Sequence, residues 1–484
     1  MGAVPHPTRL DDLPRPSSQR LAVRTTPDAR RRLRAGHPWL YEGSIRSVSR
    51  DGVAGDLAVV FDDDRRFVAV GLWDPASPIR LKVLHQGAPT TIDAPWFLTR
   101  LAAAIDRRAP LLAGTDAPTT GYRLVHGEND GLPGLVVDRY ADVLVVKLYT
   151  AAWVPHLRDV VDALVDLCAP TSVVLRLSRS ARDQELHGLE EGQVLAGEPV
   201  TGPVTFLEAG LTFEADVVRG QKTGHFLDQR DNRRMIGALA HGTRVLDVFC
   251  CTGGFSVHAA AGGANAVLSI DASPFAIAAT QRHLALNRSL PAVAACSHEA
   301  ITGDAFAELE RLGTTRRRFD IVVVDPPSFA QNATQVPRAV AAYERLAALA
   351  VPLVAKGGLL LQASCSSRVT EADFVRAVHA GAAAAGFDLE EVERTGHALD
   401  HPIGFSEGAY LKAVLARPVV ASPGSPASAS TRSSGATRSD GAPRPASGSP
   451  PRGPRGSGPV PGASAAGPTD RPVRSRRGGP ARPR

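Results

Sequence analysis

Aromatic residues make up only 5% of the 484 positions, methionine occurs twice, and the five cysteines form no Cys-x-x-Cys pair. Cysteines scattered at 168, 250, 251, 296 and 365 exclude a disulfide framework and a structural zinc site, and they fit a reducing compartment. No uninterrupted apolar stretch reaches the roughly 18 residues that span a bilayer, and the opening MGAVPHPTRLDDLPRP lacks the apolar centre of a secretory signal. These absences predict a soluble, cytoplasmic protein with no membrane partner and no metal ligand set. Gly-x-Gly-x-x-Gly and Gly-Lys-Ser/Thr are missing as well, which argues against a dinucleotide-dependent dehydrogenase and a P-loop nucleotide hydrolase.

The net charge of +6 is unevenly spread. Eleven arginines against two acids give residues 418–484 a charge of +9, leaving −3 for everything before them. The basic balance therefore says nothing about the folded part. That terminal segment is Pro, Gly, Ser, Ala and Arg with almost no large apolar residue, so it cannot offset the entropy of ordering and is read as a disordered tail, with weak tethering to RNA as the alternative to a purely solubilising role.

Residues 20–88 carry short strand-like runs (LAVRTT, LAVVFDDDRRFVAVGLWD, IRLKVLH) with Asp-Gly and Asp-Pro punctuation, which predicts a small all-β domain. Residues 89–200 mix helical and strand periods and read as a central α+β domain. From 201 to 417 apolar runs of strand length alternate with amphipathic helices, the pattern of an α/β, Rossmann-like parallel sheet covered on both faces.

Ligands of such sheets bind at the carboxyl ends of the strands. Four acids fall there. Asp247 ends a strand in VLDVFCCTGGFSVHAA, where Thr252, Gly253, Gly254 and Phe255 form a turn that lets a ligand approach the backbone. Asp271 follows AVLSI, placed to accept hydrogen bonds from ribose hydroxyls, unless it merely caps the next helix. Asp304 in TGDAF is positioned for the exocyclic amine of an adenine. Asp325 opens DPPSFA after four apolar residues, and the fixed φ of Pro326 and Pro327 makes a rigid loop. A flat base could stack on Phe329 there while Asp325 bonds its polar edge, although a plain turn would account for the prolines alone. One strand later, LLLQASCSSRV puts Cys365 between Ser364 and Ser366.

Together VLDVFCCTGGFS, SIDAS, GDAF, DIVVVDPPSFA and LQASCSS resemble the ordered motifs of class I S-adenosylmethionine-dependent methyltransferases acting on RNA bases. GQKTGHFLDQRDNRRMI, ENDGLPGLVVDRYADVLVV, RRLRAGHPWLYEGSI and HPIGFSEGAYLKAVL are similar to the ribosomal large subunit methyltransferase I type. The likeness covers about residues 20 to 415. It implies an N-terminal PUA domain, S-adenosyl-L-methionine as cofactor, large-subunit (23S) ribosomal RNA as partner, 5-methylcytosine as product, and a tendency to form a homodimer.

On this resemblance Cys365 adds to C6 of cytosine to activate C5, with Ser364, Ser366 or backbone N–H groups favouring the thiolate, and Asp325 stabilises the adduct. Pro326, Pro327, Phe329 and Lys222 belong to the substrate side. Phe226, Asp228 and Arg230 close over the cofactor, unless Asp228, Arg230, Asp231 and Arg233 form a solvated ion-pair face. His37, Pro38 and Trp39 are similar to the PUA signature. Cys250 and Cys251 read as packing residues, and no residue identifies itself as the base for the C5 proton. Ser328 stands where the family often has lysine or threonine, which leaves base specificity open. The alternatives are a guanine N-methyltransferase of the same fold, which needs no thiol, and a non-catalytic RNA-binding assembly factor.

Overall fold

The computed structural model describes residues 10–113, 117–220 and 223–421; Lys222 and the expected tail beyond Ala421 lie outside the described residues.

The N-terminal sheet has six strands in the order Trp39–Tyr41, Ile79–Gln86, Phe67–Trp73, Leu57–Phe61, Leu21–Thr25 and Ile45–Val48. Leu21, Val23 and Thr25 alternate inward, as a strand with one wet face requires. The all-β expectation needs one correction, because Pro27–Arg34 is a helix packed on this sheet through Ala29 and Leu33. Thr26 caps it, accepting from the Ala29 N–H at 3.4 Å, and Pro27 takes the first turn, where a missing N–H costs nothing. Its arginines hid the apolar period.

A second sheet runs Val194–Gly197, Ser172–Leu177, Val143–Leu148, Leu135–Tyr140 and Gly121–His126, against helices Ala94–Asp106 and Leu157–Cys168. Phe97 and Trp153 centre its core, with no measurable exposure of either. A hairpin, Val204–Glu208 with Leu211–Ala215, turns through Ala209 (φ 50°) and Gly210 (φ 78°). Left-handed backbone at both central residues matches the natural twist of paired strands.

The third sheet holds the site. Its strands are β1 (Arg244–Val248), β2 (Ala266–Asp271), β3 (Ser297–Thr302), β4 (Phe319–Val324), β5 (Val354–Ser364), β6 (Phe387–Thr395) and β7 (Lys412–Val420). Their spatial order is 3-2-1-4-5-7-6, with β1 to β5 mutually parallel and β7 antiparallel to both neighbours. Helices such as Gly254–Ala261, Pro274–Leu286 and Val336–Ala350 cover the faces, so Leu246, Val248, Ile270, Val322 and Val324 lie in continuous core. The order reverses between β1 and β4, and that is where the crevice of an open α/β sheet forms. β7 continues through Pro418, Val419 and Val420, paired with Leu389, Asp388 and Phe387, so the ordered strand passes the tail boundary expected at 418. Among the described residues, no helix is long and apolar enough to cross a membrane.

Candidate active site

Five residues expected to act end successive parallel strands: Asp247 in β1, Asp271 in β2, Asp304 after β3, Asp325 after β4 and Cys365 after β5. Register puts these ends on one edge of the sheet.

At β1 the chain reverses through left-handed backbone at Phe249 (φ 64°), Cys251 (φ 51°) and Gly253 (φ 78°). A Cβ on Gly253 would stand 2.5 Å from Thr280 Cγ2, and one on Gly254 would stand 2.6 Å from Arg233 Cδ, so both positions require glycine. Asp247 is fully buried. Its Oδ2 accepts from the Ser256 N–H (3.0 Å) and hydroxyl (2.6 Å), whereas Oδ1 has no partner. Burial pushes its carboxyl up to about 6, against the pull of the Ser256 bonds. An unmatched buried acceptor at a ligand-facing strand end fits a polar ligand. Asp271 accepts from the Cys251 N–H (2.9 Å) and the Ser273 N–H (2.8 Å), which ties β2 to the glycine turn. The cap of the following helix is Ser273, not Asp271. Asp304 is exposed and caps Ala305–Gly313 through the Ala307 N–H (3.0 Å). Thr252 is half-buried, its carbonyl accepting from His283 at 2.7 Å.

Two expected cofactor contacts are drawn inward instead. Phe255 packs into the core with Ile236 and Val245, because helix Gly254–Ala261 turns that face to the sheet. Arg230 has no exposed surface and ion-pairs with Asp400 at 2.9 Å. The idea of a solvated ion-pair face around residues 228–233 fails with it. Arg233 is also buried and makes a two-pronged contact with Glu208 (2.6 and 2.5 Å), while His258 Nε2 lies 3.0 Å from the same carboxylate. Burial raises the Glu208 carboxyl, but the Arg233 charge and these hydrogen bonds outweigh it and hold the group well below its ordinary range. Asp228 is buried and accepts from the Tyr410 hydroxyl (3.0 Å); Phe226 is half-buried, its carbonyl accepting from Arg233 (2.9 Å).

The base-side loop is braced by a relay that residue types alone did not reveal. Gln229 Nε2 donates to Asp325 Oδ1 (2.8 Å), Asn232 Nδ2 to Gln229 Oε1 (2.6 Å), and Thr395 Oγ1 to Asn232 Oδ1 (2.6 Å). Pro326 is buried, Pro327 is exposed, and Phe329 is half-buried against Tyr343, with ring centroids 5.3 Å apart. The Cys365 thiol donates to the Pro326 carbonyl at 3.9 Å, so the ends of β4 and β5 meet.

The flanking serines brace the loop. Ser364 donates to the Tyr343 hydroxyl (2.9 Å) and accepts from the Ser366 N–H (3.3 Å), and Ser366 donates to the Ala330 carbonyl (3.2 Å). Both hydroxyls are buried and shape the loop. Tyr343 and Lys412 went unnoticed in the sequence. None of the five cysteines is in a disulfide, and burial raises the Cys250 thiol. Trp39 is half-buried, donating to Glu128 (3.0 Å) and meeting the Phe405 ring edge-on at 5.0 Å.

Residues 122–417 match the model of an S-adenosylmethionine-dependent methyltransferase family, and residues 23–86 match a PUA-like domain. The chain is 46% identical over 404 residues to the ribosomal RNA large subunit methyltransferase of Deinococcus radiodurans, covering 83% of this chain and 98% of that one. It is 36% identical over 384 residues to the ribosomal RNA large subunit methyltransferase I of Aeromonas salmonicida, covering 79% and 95%. A solved structure described as a methyltransferase complexed with SAH superposes with a TM-score of 0.69 at 21% identity, over 83% of this chain and 100% of that one, and at that identity shows the shared fold.

Proposed function

The chain belongs to the S-adenosylmethionine-dependent methyltransferase family, with a PUA-like domain at its N-terminus and S-adenosyl-L-methionine as its cofactor; on that premise we propose that it methylates C5 of a cytosine in large-subunit ribosomal RNA through a covalent adduct of Cys365. The relatives' names supply the RNA, and the meeting of Cys365 with the Asp325-Pro326 loop, Sγ to carbonyl 3.9 Å, carries the choice of base chemistry.

Asp247, Asp271, Asp304, Asp228 and the turn at Thr252, Gly253 and Gly254 would hold the cofactor, which when bound supplies an electrophilic sulfonium methyl. Cytosine C5 is a poor nucleophile. Attack of the Cys365 thiolate on C6 forms the S–C6 bond and drives the C5–C6 electron pair onto C5. Asp325, oriented by Gln229, hydrogen-bonds the N3/N4 edge and stabilises charge as the adduct forms. Once C5 carries its methyl, removal of the C5 proton returns that electron pair to the ring and breaks the S–C6 bond, releasing the thiolate. Pro327 and Phe329 would line the base side, and the family likeness supports a substrate role for Lys222.

The test incubates wild type and Cys365→Ala with labelled S-adenosylmethionine and unmodified large-subunit RNA, then identifies the labelled nucleoside after digestion. Labelled 5-methylcytidine that falls at least ~10³-fold in the variant is expected for a lost covalent nucleophile. A labelled guanosine, or an equally active variant, would make Cys365 a packing residue.

A further inference from the structure

Lys412 is the first residue of β7 and pairs directly with Ser364 of β5. Directly opposed residues of an antiparallel pair share a face, so the lysine leaves the sheet on the side of Ser364 and Tyr343, next to the loop that begins at Cys365. Its ammonium is buried and donates to two carbonyls of that loop, Ser366 (2.5 Å) and Val369 (2.6 Å). Both of these acceptors are neutral carbonyls. A buried cation whose hydrogen bonds go to neutral carbonyls is stabilised by an anion forming beside it.

We propose that Lys412 is the positioning residue that holds Cys365 as a thiolate, its ammonium pinned over residues 366–369 so that the charge faces the sulfur. The inference rests on the reading of Cys365 as nucleophile. Coupling between the two groups appears from the lysine's side. Burial pushes Lys412 down to about 8, while the charges of Cys365 and Glu371 push the other way. Other ionisable groups nearby alter the balance little at neutral pH. Tyr343 is raised to about 12 by burial and stays neutral, and His397 is lowered to about 4 by burial and is neutral too. Asp325 and Glu371 carry negative charge that opposes a thiolate. Arg368 is a second cation in the same loop, but it is exposed to solvent, whereas the Lys412 ammonium is buried.

The experiment measures the rate of iodoacetamide alkylation at the Cys365 peptide of the full chain from pH 5 to 10, resolved by mass spectrometry. Wild type is expected to reach half its plateau rate below the ~8.5 of an ordinary thiol. Lys412→Met should move that midpoint up by one unit or more, about tenfold slower alkylation at pH 7, and Lys412→Arg should bring it back. An identical midpoint in wild type and Lys412→Met overturns the proposal. Should Lys412→Met fail to fold, wild type decides alone, and a midpoint at or above ~8.5 overturns it. Alkylation reads the thiol and not the product, so a labelled guanosine in the nucleoside assay would sink the cytosine reading without moving the midpoint.

Discussion

Asp247 is held at a cost that depends on pH. Its carboxyl rises from 3.8 to about 6 because burial disfavours the charged form. Between those values the folded chain holds more proton than the unfolded one, so stability from this group is present in acid and lost as pH rises through 6. The loss amounts to about 3 kcal/mol at ~1.4 kcal/mol per unit. Asp247→Asn keeps an acceptor for Ser256 and cannot ionise. Thermal melts should therefore show the variant gaining on wild type from pH 5 to pH 8, whereas parallel curves would mean that Asp247 is not strained. A residue that destabilises the empty fold at neutral pH is what a binding position looks like when its ligand supplies the missing partner.

At the scale of elements, the glycine turn after β1 is the most constrained. Gly253→Ala would put a Cβ on left-handed backbone, roughly 1–2 kcal/mol, and drive it into Thr280. Calorimetry should find S-adenosylmethionine affinity down at least tenfold in Gly253→Ala, and an unchanged Kd would detach this turn from cofactor binding. The turn was legible in the sequence, as were β1, β2, β4 and β5, because a parallel strand buried on both faces reads as an unbroken apolar run and an acid or cysteine follows where it meets water; β3, SHEAIT, is a half-exposed edge strand with no such run, and only its end at Asp304 was inferred. Contacts between distant residues were not legible. Arg230 and Arg233 look like surface charges until Asp400 and Glu208 are brought against them by folding. The helix Pro27–Arg34 was missed although Thr26 and Pro27 announce it, since four arginines in eight residues leave too few apolar positions to show a period. Ser364 and Ser366 were given to the thiol by adjacency, but strand geometry sends their hydroxyls to Tyr343 and Ala330.

Across the whole described fold, one segment joins the N-terminal sheet to the reaction edge. Phe405 meets Trp39, and Glu407 ion-pairs with Arg32 (3.5 Å) and lies 3.3 Å from His37 Nε2. Gly404 donates to Asn129 (2.7 Å), then Tyr410 reaches Asp228 and Lys412 reaches the loop after Cys365. Anchoring at one end should steady the other. In a double-mutant cycle, Trp39→Ala and Phe405→Ala should each lower kcat, and the pair together should lose less than the sum, with a coupling near ~1 kcal/mol for an edge-on aromatic contact. Additive losses would make the two domains independent in catalysis.

The 5-7-6 strand order also constrains how the chain assembles. Among the described residues β6 pairs with β7 alone, which is later in sequence and must enter between β5 and β6. Until it arrives, β6 is an unpaired ribbon with both edges open, the condition in which strands of different molecules stick to one another. Asp388, Glu390, Glu391 and Glu393 fill four of its nine positions and would repel a second copy of the same strand. These acids, of which Glu391 also bonds His379 and Arg394 in the finished fold, would thus serve as gatekeepers against aggregation while the nascent sheet waits for its last strand.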